Sequence, residues 1–447
     1  MIAQPQVSYA LVGIQARRIG AGREVLDAES RADAEHPVLG RAERRGAPSL
    51  EATELNQGGP DRARCGRSWH AQVSENANHW GGMAGLTLAA KLGQQGRTPV
   101  VVERATTIEG GYALGLYPLG SCVLHGLGTY EQLVDQAIAL ERYEMASGSG
   151  RALQAFDLSV LTGSVGPVLM VSRSDLLRLL ESSCSTADIR RGVTVSSLVQ
   201  HDGGVAVTFE DGAEERYDLV VICDGIDSST RDLVFGPAKG YDSGWLIWTW
   251  WADAKRFDPA VAREWWCAGC IFGAYPAPGR VMCGAGGPKD QLLDDDVGAL
   301  LRRHLGPLIE HAPVVGDALD DLAEPYAWPM RDVRSSRWID RRIALCGDAA
   351  VGFMPTAGVG ASNAMRAAAG LADELSRADA ATVPLALELY EKRCRTVIER
   401  SQTDSRRLAR VMFVRDPRLA RARDELARHY PASWALGEII GSAHHPF

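Results

Sequence analysis

Residues Ala344–Ser362, ALCGDAAVGFMPTAGVGAS, decide the fold of this chain. The apolar run Ile343-Ala344-Leu345-Cys346 reads as a short central strand, and Gly347-Asp348 turns the chain so that one carboxylate sits at the carboxyl end of that strand. Open α/β sheets bind their ligands there. Further on, Pro355, Gly358 and Gly360 keep side chains clear ahead of a helix expected to begin near Ser362. Unpaired N–H groups and the positive end of the helix dipole then point into the same space, where an anionic ring could rest. An ordinary strand-turn-helix connection uses the same letters, and Gly-Asp alone does not separate the two readings.

Working outward, the amino-terminal side repeats this grammar. Gly82-Met-Ala-Gly85-Leu-Thr-Leu-Ala-Ala-Lys-Leu92 reads as a helix with close glycine packing, ended by Gly96, and Pro99–Glu103 reads as the strand that follows. Glu103 falls at the strand end about twenty residues past the glycines, where a carboxylate accepts the ribose hydroxyls of an adenosine, and Arg104 follows it. The tight turn before such a helix needs a glycine and a buried apolar strand, yet Trp80 occupies that position and Ser74–His79 are polar. Val7–Gly13 reads as the missing strand with its first glycine. Residues 14–79 are then an insertion in the tightest turn of the unit, which is rare inside a compact domain. A gene-model or reading-frame artefact and a genuine insertion both account for them.

Three more segments stand out. Val171–Leu180 reads as a helix capped by Ser172 or Ser174, with Arg173 at its start, where a cation is electrostatically unhelpful and asks for another explanation. Asp218–Cys223 is a second buried strand, followed by Asp224-Gly225-Ile-Asp-Ser228-Ser-Thr-Arg231. There Gly225 permits a tight turn, Ser228 caps the next helix and Arg231 supplies a charge near phosphate level. Residues 237–331 alternate apolar and small residues around Trp245, Trp248, Trp250, Trp251, Trp265 and Trp266, the pattern of an antiparallel sheet. These tryptophans belong to a core or to an aromatic pocket. His125 reads as a packing or capping residue, and Val383–Phe413 as a long helix with a solvated, arginine-rich face.

Size and charge narrow the class. A chain of 447 residues with 46% hydrophobic content buries a large core in two joined lobes plus a tail. A net charge of −8 with dispersed arginines argues against nucleic acid. No run approaches a membrane span, and no amino-terminal apolar stretch suits secretion. Nine cysteines are scattered, apart from Cys267-Ala-Gly-Cys270, which suits a reducing cytoplasm. That pair reads as core, since a zinc site would need further ligands, and no metal is expected.

Taken in order, these motifs resemble the FAD-dependent monooxygenases of the para-hydroxybenzoate hydroxylase type, over residues 80–412. The resemblance implies an α/β fold. An FAD/NAD(P)-binding Rossmann-like domain (80–236 and 332–380) would be interleaved with an antiparallel substrate-binding sheet (237–331) and followed by a C-terminal helical region (381–447), after an atypical segment 1–79. It implies that Asp348 holds the ribitol chain and that Pro355, Gly358 and Gly360 lie beside the flavin ring. It also sets Arg173 near the flavin, and Asp224-Gly225 beside the pyrophosphate and the incoming pyridine nucleotide. Gly82, Gly85, Glu103 and Arg104 would hold the adenosine end. Val351 and Arg366-Ala367 depart from the family, standing where many members have His and Glu-Asp. Trp248–Asp253 resembles a flavin-dependent halogenase signature but lacks its Ile-Pro. The implied reaction takes FAD, NAD(P)H and O₂ and hydroxylates an apolar aromatic or polycyclic small molecule. No catalytic base is assigned, although Tyr241 and Tyr275 are phenols of the substrate lobe. A reductase or dehydrogenase on the same fold, or a flavin-deficient ligand-binding homologue, would share these motifs.

Overall fold

The computed structural model describes residues 9–12, 82–108, 110–159, 166–292 and 296–429. Gly13, residues 14–79, Trp80 and the tail from 430 lie outside the described residues.

The amino-terminal apolar run does enter the sheet. Tyr9–Val12 pairs in parallel with Leu219–Ile222 on one side, Tyr9 opposite Leu219, and with Val100–Glu103 on the other, Ala10 opposite Val100. Six strands result, in the order Ile339–Asp340, Ile343–Leu345, Leu219–Ile222, Tyr9–Val12, Val100–Glu103, Asp188–Arg191, all parallel but for the first. Parallel strands covered on both faces must be apolar throughout, and Val100–Val102, Leu219–Ile222 and Ile343–Leu345 are all at most 3% exposed. The helix Met83–Gln94 packs on the helices Gly360–Ser376 and Arg173–Ser182. This arrangement brings the ends of Val100–Glu103 and Ile343–Leu345, and the turns after them, to one edge of the sheet.

A second, eight-stranded sheet runs in the order Val351–Gly352, Tyr326–Arg334, Lys239–Asp253, Arg280–Pro288, Ile271–Ala277, Val261–Trp266, Arg142–Ser147, Ala152–Asp157. It reaches beyond the expected 237–331, because the hairpin of residues 142–157 adds an edge from an earlier part of the sequence. Val261–Trp266 lies parallel to Arg142–Ser147, so the sheet is mixed instead of wholly antiparallel. Its two faces do different work. Leu246, Trp250, Phe272 and Cys283 pack against the helices Val297–Ile309 and Pro313–Asp320, and each large side chain buried this way contributes about 1.5–3 kcal/mol. Residues of opposite parity turn toward the first sheet.

The long helix is Val383–Met412, close to its expected span. The Tyr390 hydroxyl donates to Leu345 O at 3.1 Å, and Gln402 Nε2 donates to Val333 O and Gly352 O at 2.6 Å each, so this helix joins both sheets. Pro417–His429 adds a further helix. Among the described residues no helix is long and apolar enough to cross a membrane.

Candidate active site

Between the two sheets lies a cavity of about 1160 Å³, lined also by Leu419 and Leu426 of the helix Pro417–His429. Asp348, Pro355, Gly358, Gly360 and Arg173 line one wall. The second sheet gives the other.

The first wall follows from backbone conformation. After the strand Ile343–Leu345, Gly347 adopts φ 64° and opens a short turn that carries Asp348 to the cavity. Burial pushes the Asp348 carboxyl up to about 7, and the Arg173 guanidinium opposes that rise. Pro355–Ala357 then forms a second short turn, closed by Gly358 at φ 66°. A Cβ on Gly358 would lie 3.5 Å from the Tyr117 ring, whose hydroxyl donates to Ala357 O at 3.2 Å. The next helix starts at Gly360, two residues ahead of the expected Ser362. Ser362 is not its cap, since its Oγ accepts the Tyr117 N–H at 3.1 Å.

Arg173 is the first residue of its helix and only 1% exposed. Ser172 caps that helix, accepting from Asp175 N at 3.2 Å. Arg173 lines the cavity with Asp348, and its charge opposes the rise of that carboxyl.

Glu103 and Asp224 belong to the same sheet edge. Glu103, 8% exposed, accepts the Ala105 N–H at 2.7 Å, and burial pushes its carboxyl up to about 7 despite that bond and the nearby Arg191. Arg104 is half-buried beside it, and its Nε has no hydrogen-bond partner. Asp224 is fully buried and also raised to about 7 by burial, against hydrogen bonds from Ser228 and Thr230. Thr230 N donates to Asp224 Oδ2 at 3.2 Å, while Oδ1 has no partner. Gly225 takes φ 83°, and Ser228 caps the following helix by accepting from Arg231 N at 2.9 Å. Arg231 Nη1 donates to Ile226 O at 3.3 Å and Ala349 O at 3.4 Å, tying the Asp224 turn to the Asp348 turn, and its Nε donates to Asp232 Oδ1 at 3.0 Å.

A family model described as FAD binding domain matches residues 81–405. The chain belongs to the FAD-dependent aromatic hydroxylase family. Among its relatives, 3-amino-4-hydroxybenzoate 2-monooxygenase PtmB3 of Streptomyces platensis is 28% identical over 342 residues, 72% of this chain and 85% of that one. Aurachin C monooxygenase/isomerase of Stigmatella aurantiaca is 28% identical over 333 residues, 70% and 82% of the two chains. Klebsiella pneumoniae HpxO, solved with FAD and uric acid, shares the fold with a TM-score of 0.72 at 21% identity, over 81% of this chain and 94% of that one.

The described residues fit the family's cofactor on grounds internal to this chain. The helices Met83–Gln94 and Gly360–Ser376 begin without a side-chain cap, as Val383–Met412 also does, but Met83 and Gly360 line the cavity whereas Val383 does not. Uncapped starts leave N–H groups for an anionic ligand. Gly82 sits before the first at φ 82°, and Gly85 is buried in its opening turn.

The sheet wall of the cavity was the less legible part. Of the six tryptophans between 245 and 266 only Trp266 lines the cavity; Trp245, Trp250 and Trp265 are core. Tyr275 lines it, whereas Tyr241 lies under the Arg406 guanidinium, 5.3 Å from its ring centroid. His125 stacks on Tyr130 at 3.7 Å. Cys267 and Cys270 are buried core residues. Sequence reading missed Glu264, Tyr143 and Trp328, all on the cavity. The available signal was parity: Ala262, Glu264 and Trp266 share one face of their strand.

Proposed function

We propose that this protein is an FAD-dependent monooxygenase that hydroxylates an apolar aromatic or polycyclic small molecule with NAD(P)H and O₂, in the cytoplasm. One observation carries the reading: the wall bearing Asp348, Arg173 and the Pro355–Gly360 turn encloses, with an apolar sheet face, a cavity of about 1160 Å³. Ligand pockets commonly span about 300–1,000 Å³, so this volume suits a cofactor ring and an aromatic substrate together. The names of the relatives, an aminohydroxybenzoate monooxygenase and an aurachin C monooxygenase, support an arene as substrate. Eight described cysteines, all free thiols, support a reducing compartment.

In this reading Glu103 accepts the adenosine ribose hydroxyls, with Arg104 alongside. The uncapped helix start at Gly82–Gly85 receives the pyrophosphate, and Asp224-Gly225 flanks it. Asp348 holds the ribitol, while Gly358 and Gly360 let the backbone approach the ring. Bound FAD supplies the electron transfer from NAD(P)H and the activation of O₂ that the protein's own side chains cannot. The chain's share is to orient that group, to stabilise negative charge near the Gly360 helix start and Arg173, and to exclude water behind the sheet.

The test is direct. Purified protein should carry a flavin absorbance, consume NAD(P)H and O₂ together in the presence of a hydroxyarene, and place one atom of isotopically labelled O₂ in the product. Nicotinamide oxidation without labelled product would favour a reductase. A colourless protein that takes up no added FAD would overturn the reading altogether.

A further inference from the structure

Glu264 stands in mid-strand on the sheet wall of the cavity and is 4% exposed. Three side chains address it. Trp266 Nε1 donates to Glu264 Oε2 at 2.6 Å, and the Tyr275 hydroxyl donates to Oε1. The Tyr143 phenol lies close by, pushed well above its ordinary range by burial and then by the charge of Glu264. Directly across the ladder, Gly273 makes room for this cluster: a Cβ there would lie 2.7 Å from the Tyr275 hydroxyl.

Among the described residues no ion pair engages Glu264; neighbouring Arg263 is spent on Glu144 at 2.5 Å. A carboxylate in an apolar cavity is costly unless its lone pairs are filled, and it has about four acceptor sites. The phenols and the indole fix its orientation and fill at most three of those sites. Its position also couples it to the opposite wall. Tyr117, bonded to Ala357 O, is raised to about 12 by burial and next by Glu264, so the carboxyl lies within electrostatic reach of the Pro355–Ala357 turn.

We propose that Glu264 is the substrate-anchoring residue of this cavity, selecting aromatic molecules that present an N–H or O–H donor and rejecting arenecarboxylates. The inference rests on the proposed function only in taking the cavity as the substrate site. It is tested by binding, with the full-length protein carrying its flavin and four probes of one shape: naphthol, naphthylamine, methylnaphthalene and naphthoate. Quenching of tryptophan fluorescence reads the dissociation constants. Naphthol and naphthylamine should bind about tenfold tighter than methylnaphthalene and naphthoate, the increment of a hydrogen bond to a charged group. Glu264→Gln should erase the preference over naphthoate without lowering flavin content. Tyr275→Phe removes one neutral donor but leaves the carboxyl, so the preference should persist there. Equal or tighter binding of naphthoate by the wild-type protein, survival of the preference in a folded Glu264→Gln variant, or its loss in Tyr275→Phe would each overturn the proposal. The wild-type ratio decides alone if Glu264→Gln does not fold. An inert flavoprotein that keeps the ratio refutes the monooxygenase reading only; an active monooxygenase with the ratio inverted refutes the anchor only.

Discussion

Glu103→Gln should stabilise the flavin-free protein at alkaline pH while weakening its hold on FAD. Burial lifts the Glu103 carboxyl from its ordinary 4.5 to about 7. The folded chain therefore binds this proton more tightly than the unfolded chain does. Below 4.5 both states are protonated and nothing is lost. As pH rises from there the folded state must pay for ionising a buried acid, and above about 7 the loss is complete, at about 3 kcal/mol. Glutamine never ionises, and its Oε1 still accepts the Ala105 N–H that Glu103 receives at 2.7 Å. Its amide leaves a donor short of a partner, which costs about 1 kcal/mol at every pH. The variant should thus be about 2 kcal/mol more stable than wild type at pH 8 and slightly less stable at pH 4. Urea titrations of flavin-stripped protein at four or five pH values measure this difference. FAD affinity should move the other way, falling about tenfold or more as ribose hydroxyls lose a charged acceptor. A stability difference that stays flat with pH, or wild type the more stable at pH 8, would refute the argument.

Three other substitutions probe different links. Gly358→Ala forces a side chain into φ 66° and should cost about 1–2 kcal/mol, with a lower flavin-to-protein absorbance ratio as the turn shifts against Tyr117. Ser228→Ala removes the acceptor for Arg231 N, and should lower stability in denaturant by about 1 kcal/mol with little effect elsewhere on the sheet. Arg406 holds the fully buried Asp332 through two bonds of 2.6 Å, locking the long helix to Tyr326–Arg334. Arg406→Met should cost about 3 kcal/mol in a melt or denaturant curve, and flavin bound per folded molecule should not change.

The sequence was most legible where backbone geometry demands particular residues. Gly358 and Gly225 take left-handed conformations that glycine alone adopts freely, so both turns are marked in the sequence itself. The run Val7–Gly13 was readable as a strand from its apolar letters, but its partners begin at Leu219 and Val100, and register across such separations leaves no local trace. Residue type does not reveal how a guanidinium is engaged: Arg231 pairs with Asp232 and reaches the carbonyls of Ile226 and Ala349.

The tryptophans expose a deeper asymmetry between the two walls. Crowding along the chain says nothing about facing, because successive strand residues point to opposite sides. Trp250 goes to the helices with Leu246, while Thr249 and Ile247 go to the cavity. The cofactor wall is made by turns and helix starts, which only certain residues tolerate, so it is written as a motif. The substrate wall is made by side chains on a rigid ladder, where any residue of suitable size is accepted by the backbone. The reverse face of that ladder is locked by the helices Val297–Ile309 and Pro313–Asp320, so the cavity face is the one free to vary without loss of fold. A position such as Glu264 is therefore where relatives sharing one cofactor site can part in substrate, and where a motif has no reason to appear.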